Sequence, residues 1–92
     1  MTITLRCLGP LRDYFGRELQ TVELPDHATA RDLLQWIEEH CAAGFPQYLW
    51  DYERHQFRGP VALAIDSGLV LDLNLSLHEG CEVRVMYAVA GG

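Results

Sequence analysis

Ninety-two residues, 49% of them hydrophobic and 22% charged, suffice for one modest core and leave no room for a second domain or a deep enclosed active site. Thirteen acidic against seven basic residues give a formal charge of -6, which repels phosphate backbones and anionic lipid and so disfavours nucleic acid and membranes as partners. The acidity either serves solubility or matches a basic groove on a partner protein. Along the chain, Ile3, Leu5 and Cys7 alternate with Thr2, Thr4 and Arg6, which predicts a half-buried strand. Gly9-Pro10 ends it, and Leu11, Tyr14 and Phe15 share one face of a short helix from Pro10 to Phe15 that Gly16 stops. Val22 and Leu24 suggest a second strand paired with the first.

Thr29 is the best helix N-cap in the chain, with Asp32 three residues on as a capping-box partner. Ala30, Leu33, Leu34 and Ile37 follow at helical spacing, Cys41 continues that face, and Gly44 closes this main helix. After Phe45-Pro46, the residues Tyr48, Leu49 and Tyr52 line a second helical segment up to the break at Arg58-Gly59-Pro60. Val61, Leu63 and Ile65 then alternate with Ala62 and Ala64, a strand whose second face is small enough for a close neighbour. Asp66-Ser67-Gly68 is a turn, Leu69-Val70-Leu71 a short strand, and Leu75 and Leu77 anchor a connecting loop. His78-Glu79-Gly80 turns into a last strand in which Val83, Val85 and Tyr87 alternate with Glu82, Arg84 and Met86. This order predicts an α+β roll of β-grasp type, a mixed sheet of about five strands with one main helix and short extra helices.

The three cysteines, Cys7, Cys41 and Cys81, are odd in number and widely spaced, which fits neither a disulfide framework nor a zinc site. A β-grasp ferredoxin is excluded because its cluster needs four clustered cysteine ligands. His27, His40, His55 and His78 are scattered over turns and helix ends and read as surface residues, so no metal site is expected. The opening residues carry no signal-peptide pattern and no segment is long enough to span a membrane, so the expected setting is the reduced cytoplasm. No Ser-His-Asp order, phosphate loop or paired carboxylate supports an enzyme acting alone.

All seven basic residues are arginine, and the chain contains no lysine. Coding bias accounts for this, or else a protein with an activated carboxyl end profits from having no amine side chains to attack it, since guanidinium stays charged and inert. The relevant end is Ala88-Val89-Ala90-Gly91-Gly92, five small residues after a strong strand. Residues 1–87 thus read as the folded domain and 88–92 as a flexible tail ending in Gly-Gly. Glycine lets a chain pass through a narrow channel, and from Ala88 the tail reaches roughly 15 Å at about 3.3 Å per residue. A terminal carboxylate is ionised and a poor electrophile until one oxygen becomes a leaving group, most simply by adenylation with ATP. Sulfur can then displace AMP and leave a thiocarboxylate on Gly92.

With these residues in place the chain resembles the family of the molybdopterin-synthase small subunit and the thiamine sulfur carrier (MoaD/ThiS-type ubiquitin-like sulfur carriers). The likeness covers essentially the whole length, through Leu5 to Gly16, Ala28 to Leu34, Val61 to Asp66, and Glu79 to Val83 leading into Val89-Ala90-Gly91-Gly92. The helix after the first strand is closer to the molybdopterin branch than to the shorter thiamine branch. The resemblance implies that an E1-like enzyme adenylates Gly92, that a persulfide enzyme donates sulfur, and that the tail passes it on while docked in a larger synthase subunit. It implies no cofactor bound to this chain, the ATP being used by the activating partner. Gly91, Ala90 and Val89 would thread into the partners, with Met86 and Tyr87 docking beside the exit.

Four departures bear on the pathway served. Asp66 stands where the family usually has Asn, Cys81 where it has Asp, and Tyr87-Ala88 where molybdopterin-type members commonly carry Pro-Pro; Phe45 to Pro60 is longer and more aromatic than typical. Tyr48, Trp50, Tyr52 and Phe57 in that insert read either as core packing or as a partner-binding patch. Molybdopterin synthesis is the pathway the resemblance favours. Thiamine, amino-acid or secondary-metabolite synthesis, conjugation of ubiquitin type, and a docking module without tail chemistry are the alternatives.

Overall fold

The first alternating run becomes strand β1, Thr2–Cys7, in the computed structural model, which describes residues 1–66 and 68–88. Ile3, Leu5 and Cys7 point to the covered side and are fully buried, while Thr2, Thr4 and Arg6 stay half-exposed on the other. A short helix α1, Leu11–Phe15, starts after Pro10 and is closed by Gly16, whose φ of 82° is a left-handed cap that glycine adopts without strain. Strand β2, Leu19–Glu23, returns antiparallel to β1 with Ile3 opposite Val22. It begins three residues before Val22 and stops short of Leu24, so the pair is longer at its start than the hydrophobic pattern indicates.

The main helix α2, Ala30–His40, opens on a complete capping box. The Asp32 amide donates to Thr29 Oγ1 at 3.4 Å, and the Thr29 amide to Asp32 Oδ2 at 2.8 Å. Two further amides of its first turn find carbonyls in a distant loop, Ala30 to Leu75 and Arg31 to Leu73, each at 3.0 Å. Backbone groups that a helix start leaves over are thereby satisfied within the fold. Ala30, Leu33, Leu34 and Ile37 are buried against the sheet. The helix ends at His40, not at Gly44: Cys41 leaves helical geometry, and Ala42–Gly44 forms a single 3-10 turn.

The insert differs more. The expected helical segment around Tyr48, Leu49 and Tyr52 is instead a small hairpin, β3 Trp50–Asp51 paired antiparallel with β4 Gln56–Phe57. Asp51 decides this, because its Oδ1 accepts the amides of Glu53 at 2.9 Å and Arg54 at 3.1 Å, a local turn that competes with helix propagation. His55, at φ 57°, completes the reversal. Trp50 and Phe57 meet edge to face at 4.8 Å and are both buried, whereas Tyr48 and Tyr52 are 65% and 57% exposed. Core packing and surface display therefore divide the aromatic cluster between them.

Strands β5, Val61–Ile65, β6, Gly68–Leu69, and β7, Glu82–Tyr87, complete a five-stranded sheet in the order β2-β1-β7-β5-β6. The β6 strand is one pair of residues long, not the expected Leu69 to Leu71. Asp66 turns the chain toward it at φ 56°, a left-handed conformation that Asp and Asn tolerate; Ser67 lies outside the described residues. In the connecting loop Leu77 is buried at 5% exposure while Leu75 is 45% exposed, so only Leu77 acts as an apolar anchor. One face of the sheet is covered by α2 and the insert; the other carries Thr4, Arg6, Glu82, Arg84 and Met86, all half-buried. Each fully buried aliphatic side chain of the covered face contributes about 1.5–3 kcal/mol.

Candidate functional site at the end of the last strand

Strand β7 occupies the centre of the sheet, parallel to β1 and antiparallel to β5. Val83 and Val85 are fully buried, opposite Leu5 and Cys7 on one side and Ile65 and Leu63 on the other. The ladder continues past the strand's last residue, since the Ala88 amide donates to the Pro60 carbonyl at 2.6 Å. The chain is thus held from both sides up to Val85, where the Leu8 amide donates to its carbonyl at 3.1 Å, and from the β5 side alone as far as Ala88. Four of the residues expected to carry the chemistry, Val89, Ala90, Gly91 and Gly92, follow directly and lie outside the described residues.

Tyr87 and Met86 flank this exit on opposite faces. Tyr87 pairs with Val61 and packs half-buried against the core. Met86 stands on the open face opposite Ala62, whose single methyl group leaves the flexible thioether without a tall neighbour on that side. The remainder of the open face is polar and cross-linked. Arg6 bridges Glu18 at 3.3 Å and Glu82 at 3.2 Å, and the hydrogen bond to Glu82 holds its guanidinium above its ordinary pKa. Arg84 donates to the Asp66 carbonyl.

Beside the exit, α1 and the insert meet through two phenols, Tyr14 and Tyr48, whose hydroxyl oxygens are 2.5 Å apart. That hydrogen bond, reinforced by burial and by the nearby phenols of Tyr48 and Tyr87, pushes Tyr14 above the usual tyrosine pKa. Sequence reading placed Tyr14 on a helix face and Tyr48 in a second helix; nothing in the pattern pairs them, because the contact spans 34 residues. A second contact invisible in the sequence joins α2 to the hairpin: Glu38 accepts the Trp50 indole N–H at 2.9 Å and lies 2.9 Å from His55 Nδ1.

Burial disfavours the nucleophilic thiolate at Cys7 and Cys41. Cys7 is fully buried, and desolvation pushes its thiol to about 12; burial also raises Cys41. Cys81 is 5% exposed. All four histidines are exposed, and among the described residues no three His, Cys, Asp or Glu side chains converge as metal ligands. Among the same residues no helix is long and apolar enough to cross a membrane. What the geometry offers is a firmly held strand ending at a point from which the following residues can be presented to another molecule.

A mixed five-stranded sheet grasping one main helix defines the ubiquitin-like β-grasp class. The ThiS family model matches residues 5–92, and the chain belongs to that family of MoaD/ThiS-type ubiquitin-like sulfur carriers. No curated protein sequence matched. Among solved structures the chain is similar to SAMP1 from Haloferax volcanii, at 15% identity and a TM-score of 0.77 over 100% of both chains. It is also similar to a putative molybdopterin converting factor subunit 1 from Pyrococcus furiosus, at 21% identity and a TM-score of 0.75, covering 97% of this chain and 99% of that one. A third is from the complex of subunits 1 and 2 of the molybdopterin-converting factor of Helicobacter pylori, at 23% identity and a TM-score of 0.64 over 100% of both chains. At these identities the likeness is one of fold.

Proposed function

We propose that this protein is a cytoplasmic sulfur carrier that acts through the carboxylate of Gly92. An E1-like enzyme using ATP joins that carboxylate to AMP and releases pyrophosphate. The terminal sulfur of a protein persulfide then attacks the acyl carbon and AMP leaves. A second thiol takes up the donor cysteine as a disulfide, and the thiocarboxylate remains on Gly92. Sulfur is passed on inside a larger synthase subunit, with molybdopterin as the favoured acceptor. The chain itself is a cosubstrate and binds no cofactor of its own.

The observation that carries this reading is the reach of the family model over residues 5–92, which includes the Gly91-Gly92 pair that follows the anchored Ala88 after Val89 and Ala90. Similarity to a molybdopterin converting factor subunit 1, and to one solved with its subunit 2, supports the choice of pathway and of a larger partner. Similarity to SAMP1 keeps conjugation to proteins as the second reading. Co-expression with a candidate activating enzyme tests the first: intact mass rises by roughly 16 Da, one oxygen exchanged for sulfur at an activated acyl group. If the mass stays constant while higher-mass conjugates that depend on Gly92 accumulate in lysate, the second reading replaces it. Pull-down with Gly92 intact, followed by identification of the bound subunit, fixes the pathway.

A further inference from the structure

The sheet has a gap in its outer edge that the sulfur-carrier reading does not use. In the antiparallel ladder between β5 and β7, the bond from the Ala88 amide to the Pro60 carbonyl sets the parity. Residues 60, 62 and 64 turn their backbone groups toward β7, and Val61, Leu63 and Ile65 turn theirs to the opposite side. On that side β6 pairs only with Ala64 and Ile65, and the Val70 amide reaches the Leu63 carbonyl at 2.8 Å. Beyond it the chain bends away, and the Leu73 and Leu75 carbonyls go to the start of α2. Among the described residues no backbone bond reaches the N–H or C=O of Val61, or the N–H of Leu63, from this side.

These unmet groups border a cleft of about 240 Å³ between β4, β5 and the loop after β6. Its apolar wall comes from Leu34, Phe57, Val61, Leu63, Val70 and Leu73. Next to it Leu71 is 90% exposed and Leu69 47%. An open strand edge beside an apolar cleft is complementary to one kind of occupant, an extended chain that supplies alternating backbone groups and a side chain. A helix would leave the edge unpaired. A second copy of this chain would bring a further charge of -6 against the first, so the electrostatics favour a basic partner.

We propose that the β5 edge from Val61 to Leu63 is a strand-addition site for an extended segment of a partner protein, apolar at its centre and basic at its flanks. The added strand pairs with Val61, places one apolar side chain in the cleft and covers Leu71. The proposed edge lies across β5 from the base of the tail, Val61 pairing with Tyr87 on its other edge, and the peptide test does not involve Gly92, so its failure leaves the sulfur-carrier reading untouched.

The test is an NMR titration of the isotope-labelled full chain with the blocked peptide acetyl-Arg-Val-Ile-Val-Arg-amide. Two twins are N-methylated on alternate residues, one twin on each edge of the peptide. Amide shifts are expected at Val61 and Leu63, in Val70 to Leu73 and in Gln56 to Gly59. One twin should bind at least about tenfold more weakly, having lost donors facing β5, while the other binds like the parent. Leu71→Glu, at an exposed position, should also weaken the parent peptide while leaving the free spectrum otherwise intact. Shifts centred on Arg84 and Met86, equal binding by both twins, concentration-dependent shifts without peptide, or no shift at millimolar peptide would each overturn the proposal.

Discussion

The strand that leads into the tail and the hairpin of the insert are held in opposite ways. Strand β7 lies between two neighbours, its backbone engaged on both edges, and Val83 and Val85 are fully buried beneath it. Among the described residues the two short strands of the hairpin, β3 and β4, pair only with each other. Side chains attach it to the body: Trp50 and Phe57 packed at a tilt against Phe45 and Phe15 respectively, the Glu38 carboxylate on Trp50 and His55, and the bond between Tyr14 and Tyr48. The strand that leads to the chain's end is thereby part of the cooperative core. An accessory surface can be fastened from outside and released at lower cost.

The sharpest way to break the comparison is to remove what β7 presents. Deleting Gly91 and Gly92 is expected to abolish thiocarboxylate formation, read by intact mass, and to leave the thermal midpoint unchanged, because the buried core and the five-stranded sheet described here are built from residues up to Tyr87. The next largest effect is on stability. Trp50→Ala, at 3% exposure, should cost about 3 kcal/mol in a urea titration, the low end for a buried tryptophan, and hydrogen exchange should quicken first at Asp51 to Phe57. Val85→Ala should cost less, about 2 kcal/mol, yet quicken exchange across β1, β5 and β7 together. If the tryptophan change loosened the whole sheet at once, the distinction between the two attachments would fail.

A pH titration sharpens the same contrast with a smaller effect. The Trp50 indole N–H, and then His55, hold the Glu38 carboxyl below its ordinary range. A depressed carboxylate pKa adds stability that is present above the unfolded-state value and is lost as pH falls through the folded-state value. The Trp50 side-chain N–H resonance should therefore hold its position from neutral pH down to the usual glutamate range and shift below it. Glu38→Gln should flatten that response. The smallest effect belongs to Tyr48→Phe, which removes one solvent-facing hydroxyl bond and should leave the fold and the thermal midpoint nearly unchanged while lowering the Tyr14 titration toward the ordinary tyrosine value.

Much of the sheet could be read from the sequence because period-two burial is a local property. The runs Ile3-Leu5-Cys7, Val61-Leu63 and Val83-Val85 carry their own register, and each became a strand with that face inward. Thr29 with Asp32 named the start of the main helix for the same reason, since a capping box is closed within four residues. Gly16 stopped the first helix where its sequence position indicated. The diglycine end, with Met86 and Tyr87 before it, stands out in the sequence as a motif, and the function proposed for it rests on residue types and their order.

The insert was misread where local and distant forces compete. Tyr48, Leu49 and Tyr52 have helical spacing, but Asp51 closes a turn, Trp50 packs on Phe57 and donates to Glu38, and Phe57 reaches Phe15 in the first helix. Which aromatics are buried, which phenols meet, and which carboxylate receives the indole depend on separations of 12 to 34 residues that no periodicity encodes. The open edge of β5 is of the same kind, because an unpaired backbone group exists only once every neighbouring strand has been placed. Local patterning thus determined the elements and the motif at the end of the chain, whereas their mutual contacts were settled by three-dimensional packing, in which each side chain competes for partners from the whole molecule.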